Sequence, residues 1–124
     1  MGETSSVLLI EDDVALGRQV VLHLRKVGLS PVWWRRGRPV DDDDLSVLSL
    51  VVLDLMLPGL SGLDVLRAIR SRSDVPVLVI SARRDGPTTV RALELGADDY
   101  VHKPFWPEEL LARVQTSADG KVGA

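Results

Sequence analysis

The sequence contains no cysteine. Disulfides, thiolate metal ligation and a cysteine nucleophile are therefore excluded. It also lacks any apolar run approaching the roughly 20 residues that cross a bilayer. The first six residues, Met1–Ser6, have neither a basic flank nor an apolar centre, so they do not read as a secretory leader. The chain is expected in the cytoplasm, away from membranes. Basic excess is missing as well. The net charge is −3, which offers no electrostatic footprint for nucleic acid. Contact with DNA, if any, is expected from another domain or chain. No internal repeat is visible.

What remains is a globular composition, 45% hydrophobic and 27% charged. At 124 residues the chain suits a single domain with one core. Its central stretch is Leu50–Gly59, where Leu-Val-Val-Leu runs into Asp54 and then through Leu55, Met56 and Leu57 to Pro58-Gly59. A continuous apolar run closed by turn residues reads as a buried parallel strand. A carboxylate inside that run would be costly unless water or a cation met it. Asp54 is therefore placed at the C-terminal mouth of its strand, where ligands bind in open α/β sheets.

The flanking chain repeats the theme. Val7–Ile10 is a short apolar run ending in Glu11-Asp12-Asp13. Val14–Val27 has helical spacing, with Gly28 as its stop. Pro31–Trp34 is a strand candidate for a sheet edge, because proline lacks a ladder donor. Arg35–Ser49 holds Pro39 and four successive aspartates, Asp41–Asp44. A short or distorted helix, or a solvated acidic loop, is expected there. Ser61 caps a predicted helix over 62–72, and Val75–Ile80 is another buried strand ending at Ser81. Pro87 opens a helix that Gly96 ends, Tyr100-Val101 centres a short strand, and Pro107 opens the last helix. Five alternations of strand and helix predict a doubly wound parallel sheet with helices on both faces. Residues 1–6 are expected as a tail, 7–116 as the domain, and 117–124 as a tail or the start of a linker.

If all five strands are parallel, Glu11, Asp12, Asp13, Asp54, Ser81 and Lys103 gather at one sheet edge. Several carboxylates together repel unless a cation neutralises them, and a hard, oxygen-preferring ion such as Mg²⁺ fits. An ammonium and a hydroxyl beside such a carboxylate suit a phosphoryl group held on it. Asp13 also sits where an N-cap of the first helix belongs, and that is the favoured reading. His102 neighbours Lys103, so on a strand it should point away from the site. His23 is expected to be structural.

The motifs Leu9-Ile10-Glu11-Asp12-Asp13, Leu53–Gly62, Val79-Ile80-Ser81-Ala82 and Gly96–Phe105 together resemble the receiver domain of bacterial two-component response regulators. Glu109–Arg113 further resembles the subfamily fused to winged-helix DNA-binding domains. The resemblance implies a flavodoxin-like fold with strand order 2-1-3-4-5. It implies that Asp54 accepts a phosphoryl group from a sensor histidine kinase. Glu11, Asp12, Asp54 and the main-chain carbonyl of Met56 would hold Mg²⁺. Ser81 and Lys103 would meet the phosphoryl group, and Tyr100 would turn inward as Ser81 moves. The Lys103-Pro104 bond would be cis. A homodimer formed on phosphorylation would use Asp99, Glu109 and Arg113 in cross-subunit ion pairs.

Three departures from the family pattern stand out. Asp42 and Asp43 replace leucines of the second helix, which could displace it and repack Trp33 and Trp34. Trp106 replaces a small polar cap, a loss of about 1 kcal/mol, and an exposed indole there would suggest a contact surface. Thr89 replaces a basic residue that would pair with Glu109. Two competing functions follow from other classes. One is a scaffold that is never phosphorylated, which would need none of Glu11, Asp12, Asp54, Ser81 or Lys103. The other is a phosphatase or phosphotransferase with an aspartyl nucleophile. That would want a second acid as general acid near the nucleophile, and Asp54-Leu55-Met56 supplies none two residues on; it would also want a substrate-covering insertion, for which the chain has no room.

Overall fold

The computed structural model describes residues 5–123, with side chains described as far as Ser117. Five strands and five helices alternate: β1 (Ser6–Ile10), α1 (Val14–Lys26), β2 (Ser30–Trp34), α2 (Asp42–Val47), β3 (Leu48–Asp54), α3 (Gly62–Arg70), β4 (Val77–Ser81), α4 (Gly86–Glu94), β5 (Asp99–His102) and α5 (Pro107–Gly123). All ladders are parallel and the sheet order is β2-β1-β3-β4-β5. This is the doubly wound architecture expected from the alternation.

Side chains alternate across a strand, and the two cores follow that alternation. Leu8, Ile10, Val51, Leu53, Val77 and Val79 pack with Val65, Leu66 and Ile69 of α3 and Ala92 of α4. Val7, Leu9, Leu50, Val52, Leu78 and Ile80 pack with Val20 and Leu24 of α1 and Leu110 and Val114 of α5. β3 is buried along Leu50–Asp54 because both its faces are covered.

Helix starts are set by side chains. Asp13, Asp41, Ser61 and Asp85 each accept an N–H from the first turn of α1, α2, α3 and α4. The acidic run resolves into a cap and a first turn. Asp41 caps α2, and Asp42, Asp43 and Asp44 occupy its first turn, where the helix dipole favours negative charge. α2 is therefore a real but short helix, anchored by buried Leu45.

Several boundaries differ from expectation. β1 begins at Ser6, inside the expected tail, and residues 1–4 of that tail lie outside the described residues. α1 ends at Lys26 with Val27 as cap, and Gly28 at φ +88° reverses the chain. α3 stops at Arg70 rather than 72, since Ser71 caps it. β4 spans Val77–Ser81, because Pro76 has no N–H for the ladder and contributes only its carbonyl, to the Val51 N–H at 2.9 Å. α4 starts at Gly86, ahead of Pro87. α5 runs on to Gly123, into the stretch expected as a tail or the start of a linker. Once a helix is nucleated, each further residue adds a hydrogen bond at little cost.

The loop after β2 is tied to the loop after β3 through main-chain atoms. Gly37 N–H donates to the Pro58 carbonyl at 2.9 Å and its carbonyl accepts from Leu60 N–H at 3.1 Å. A Cβ on Gly37 would lie 1.7 Å from the Leu60 oxygen, whereas one on Gly86 would meet nothing within 4 Å. The same substitution should therefore have opposite signs at the two sites. Gly37→Ala is expected to destabilise by about 2 kcal/mol through overpacking, and Gly86→Ala to be neutral or stabilising by up to about 1 kcal/mol. Urea denaturation of both variants measures this; equal midpoints would contradict it.

Candidate functional site

The sheet register assembles the site. Ile10 pairs with Leu53, so the next residues out, Glu11 and Asp54, emerge side by side at the C-terminal edge. Both follow the alternation of Leu9 and Val52, on the α1/α5 side. Lys103 follows Val101 onto the same side. Its main chain is fixed by an N–H to the Ser81 carbonyl at 2.8 Å, and the Lys103-Pro104 bond is cis, as expected.

Lys103 reaches between the two carboxylates. Its Nζ lies 3.0 Å from Asp54 Oδ2 and 2.6 Å from Glu11 Oε1. Glu11 is fully buried and Asp54 nearly so. The Asp54 Oδ1 accepts the Met56 N–H at 3.0 Å, and Glu11 Oε2 accepts the Asp13 N–H at 3.0 Å. The Lys103–Glu11 contact is an ion pair without good alignment, and Oε1 accepts no well-directed hydrogen bond among the described residues. Burial pushes the Glu11 carboxyl up to about 7, with Lys103 and the Asp13 N–H acting against it and Asp54 with it. For Lys103, burial works downward, but the two carboxylates outweigh it and raise its pKa.

Asp12 is exposed, and its carboxylate joins those of Glu11 and Asp54 with ligand atoms all within 4.8 Å of one another. The donor set is all oxygen. The buried Oε1 accepts no directed hydrogen bond among the described residues and faces the Lys103 ammonium, at 2.6 Å. The residues therefore fit a hard divalent ion.

Ser81 and Tyr100 lie on the other face. Ser81 continues the alternation of Val77 and Val79, on the α3/α4 side, and is fully buried. Its Oγ accepts the Arg83 N–H at 3.0 Å. Tyr100 is buried in the same core, and its hydroxyl donates to the Arg83 carbonyl at 2.9 Å. The main chain of Arg83 thus bridges the two residues expected to act as a switch. Sequence reasoning missed this link, because a backbone contact leaves no mark on residue identity. It also missed Trp33, whose Nε1–H donates to the Glu11 carbonyl at 2.9 Å.

The remaining expectations divide. Asp13 caps α1 through the Leu16 N–H at 3.1 Å. Met56 is half exposed at the mouth. His102 is half-buried, not a free surface residue: its ring lies 4.9 Å from that of Tyr100, two residues back on the same side of β5. His23 Nδ1 lies 2.7 Å from the Gln19 carbonyl within α1. Trp106 is 77% exposed. Asp99, Glu109 and Arg113 do come together, but within one chain: Arg113 lies 2.8 Å from Asp99 and 3.6 Å from Glu109. Glu109 therefore has Arg113 as partner despite Thr89.

A family model described as the response regulator receiver domain matches residues 7–115. The chain belongs to the response regulator receiver family. It is 43% identical over 112 residues to the sensory transduction protein RegX3 of Mycobacterium tuberculosis, covering 90% of this chain and 49% of that protein. It is 39% identical over 117 residues to the DNA-binding response regulator MtrA of Mycobacterium leprae, covering 88% and 49%. The receiver thus spans about half the length of these curated relatives. Among solved structures, the response regulator DrrB of Thermotoga maritima, an OmpR/PhoB homologue, superposes with a TM-score of 0.82 at 32% identity, covering 96% of this chain and 54% of that one. A CheY-like receiver from Methanospirillum hungatei, 21% identical, shares the fold with a TM-score of 0.85, each chain covered to 98%.

The ion pair at this receiver's edge predicts a pH-dependent variant. Lys103→Met keeps the aliphatic stem but removes the charge from two buried carboxylates, a loss of about 3 kcal/mol. The raised Glu11 pKa favours the folded state when Glu11 is protonated, and that contribution fades as pH rises through about 7. The deficit should therefore be larger at pH 8 than at pH 5.5. Chemical denaturation at both values measures it; a deficit independent of pH would contradict the assignment.

Proposed function

We propose that this receiver is a phosphorylation-dependent switch in which Asp54 is the phosphoacceptor. The observation that carries the reading is the pairing of Asp54 with Lys103 inside an acidic, oxygen-only cluster at the sheet's C-terminal edge. Asp54 attacks the phosphorus of a kinase phosphohistidine; the phosphorus–nitrogen bond breaks and the imidazole leaves with a proton. Glu11, Asp12, Asp54 and the Met56 carbonyl would hold Mg²⁺. The ion would offset the negative charge of the phosphoryl oxygens as they approach three carboxylates.

This chain's residues do the rest. Lys103 supplies a fixed positive charge beside the acyl phosphate. Ser81 can donate its hydroxyl proton to a phosphoryl oxygen, since its own oxygen already accepts from Arg83. Motion of Ser81 then pulls on the Arg83 main chain that Tyr100 grips, and α4 is biased through the core they share. Tyr100 lies in the inward position here. Its catalysis is limited to slow phosphorylation and dephosphorylation of itself. The partner is a sensor histidine kinase, the setting is the cytoplasm, and the downstream role is transcription regulation through an additional DNA-binding domain. Phosphorylation would favour a homodimer, with Asp99, Glu109 and Arg113 exchanging their internal pairs for cross-subunit ones. No described helix is long and apolar enough to cross a membrane.

Intact-mass spectrometry after incubation with acetyl phosphate tests the acceptor. One Mg²⁺-dependent phosphoryl adduct is expected in the wild type and none in Asp54→Asn. An adduct of equal yield in the variant would remove Asp54 from the role, and no adduct even with histidine kinases would favour the scaffold reading. Mg²⁺ affinity should also tighten between pH 6 and pH 8, because the ion needs Glu11 ionised. An affinity flat across that range would argue against Glu11 as a ligand.

A further inference from the structure

β2 is an edge strand, and it holds Glu11 from two directions. The Glu11 N–H donates to the Trp34 carbonyl at 3.0 Å, the last regular step of the β1–β2 ladder. The Glu11 carbonyl points back toward β2. A continued parallel ladder would meet it with the N–H two residues beyond Trp34, but β2 ends at Trp34. The Trp33 indole N–H takes that carbonyl instead, at 2.9 Å.

The indole has its own seat. Gly17, in the first half of α1, is buried, and a Cβ built there would come 2.1 Å from Trp33 Cζ2 and 2.4 Å from Cε2. The ring therefore fills the notch that the missing side chain leaves in α1. Trp33 packs against the α1/α5 core, the side on which Glu11, Asp54 and Lys103 emerge. Glu11 is thus held as a unit: main-chain N–H by Trp34, main-chain carbonyl by the Trp33 indole, and carboxylate by the Asp13 N–H and Lys103.

We infer that Trp33, seated on Gly17, is a positioning residue for the cation site: its indole N–H fixes the peptide after Glu11 and thereby aims the Glu11 and Asp12 carboxylates. The carbonyl it binds belongs to the Glu11–Asp12 peptide itself, so rotation of that peptide would swing both carboxylates together. Hydrogen-bond partners behind metal ligands commonly change metal affinity by 10–100-fold when removed. Trp33 touches no reacting atom, so its effect belongs to binding of the ion. The inference rests on the reading of Glu11 and Asp12 as Mg²⁺ ligands.

The test is calorimetric titration of Mg²⁺ into folded wild type, Trp33→Phe and Gly17→Ala. Trp33→Phe keeps an aromatic ring and loses the donor; its Mg²⁺ dissociation constant is expected to rise on the order of tenfold. Gly17→Ala keeps the donor but evicts the ring, and should shift in the same direction even though alanine favours the helix. A Trp33→Phe protein that melts earlier yet binds Mg²⁺ with the wild-type constant would overturn the inference and leave Trp33 a packing residue. Should Trp33→Phe fail to fold, the wild type decides. The chain has three tryptophans, and Trp34→Phe and Trp106→Phe assign their indole N–H resonances. The Trp33 signal is expected to move along the Mg²⁺ binding curve while that of Trp106 stays; a stationary Trp33 signal would overturn the inference. A wild type that binds no Mg²⁺ would sink the cation site itself, and Trp33's role with it.

Discussion

One ammonium group makes this edge of the sheet possible. Glu11 and Asp54 are neighbouring carboxylates at the ends of adjacent strands, both buried, where a charge without a partner is costly. Lys103 reaches them from β5, two strands away from β3, because all ladders run parallel and every strand ends at the same edge. The contact is not equally good to both. It is well directed to Asp54 and poorly directed to Glu11. Burial is what drives the Glu11 carboxyl toward its protonated form, with Lys103 acting against it. Two buried carboxylates thus share a single ammonium, at 2.6 Å from Glu11 and 3.0 Å from Asp54.

The alternation of side chains along each strand separates chemistry from readout. Glu11, Asp54 and Lys103 share the side of the sheet backed by α1 and α5, while Ser81 and Tyr100 share the side backed by α3 and α4. On the proposed reading, a charge gained at Asp54 would be sensed across the edge, at Ser81. The Arg83 main chain connects Ser81 to Tyr100 through one N–H and one carbonyl. Such a link transmits displacement whatever side chain residue 83 carries. The Arg83 guanidinium is meanwhile turned to Asp85, the cap of α4. Arg84, next along, donates to the Lys103 carbonyl at 3.1 Å. The short segment between β4 and α4 thus touches Ser81, Tyr100, the Lys103 main chain and the cap of α4.

Much of this was legible in the sequence, for physical reasons that also mark its limits. β1, β3 and β4 are buried on both faces, so they appear as unbroken apolar runs, and the polar residue that ends each run announces the sheet edge. The spatial order of the strands is not written in any one of them; it followed from the resemblance. The caps at Asp13 and Ser61 were readable because capping is local. Asp41–Asp44 was ambiguous because aspartate suits a first turn and a solvated loop equally well, and only burial of Leu45 decides. Trp33 could be flagged as unusual but not placed, since its partners are 16 and 22 residues earlier in the chain. The Arg70 guanidinium, which donates to the carbonyls of Ser73, Val75 and Gly96, gave no signal because all three partners are main-chain atoms, which leave no mark on residue identity.

Segment 35–47 is tied by main-chain atoms at its start and by side chains further on: Val40 and Leu45 are buried in the core, and Asp42 pairs with Arg72 at 3.3 Å. Gly37 and Gly59 meet as an isolated parallel bridge, and a Cβ on either would strike the opposite loop's carbonyl region. These contacts fix the path of the β2–α2 loop beside the loop that follows Asp54 without using a side chain. Arg35, Arg36 and Arg38 are left exposed, with Arg38 stacked 3.7 Å over the Trp34 ring. α2 is six residues long and is anchored by Leu45, and neither Glu11 nor Asp54 hangs from it. Glu11 lies between the β1–β3 ladder and the contacts of Trp33 and Trp34, and Asp54 lies between β1 and Ile80 of β4. The acidic helix thus stands apart from the ladders and hydrogen bonds that hold the two carboxylates.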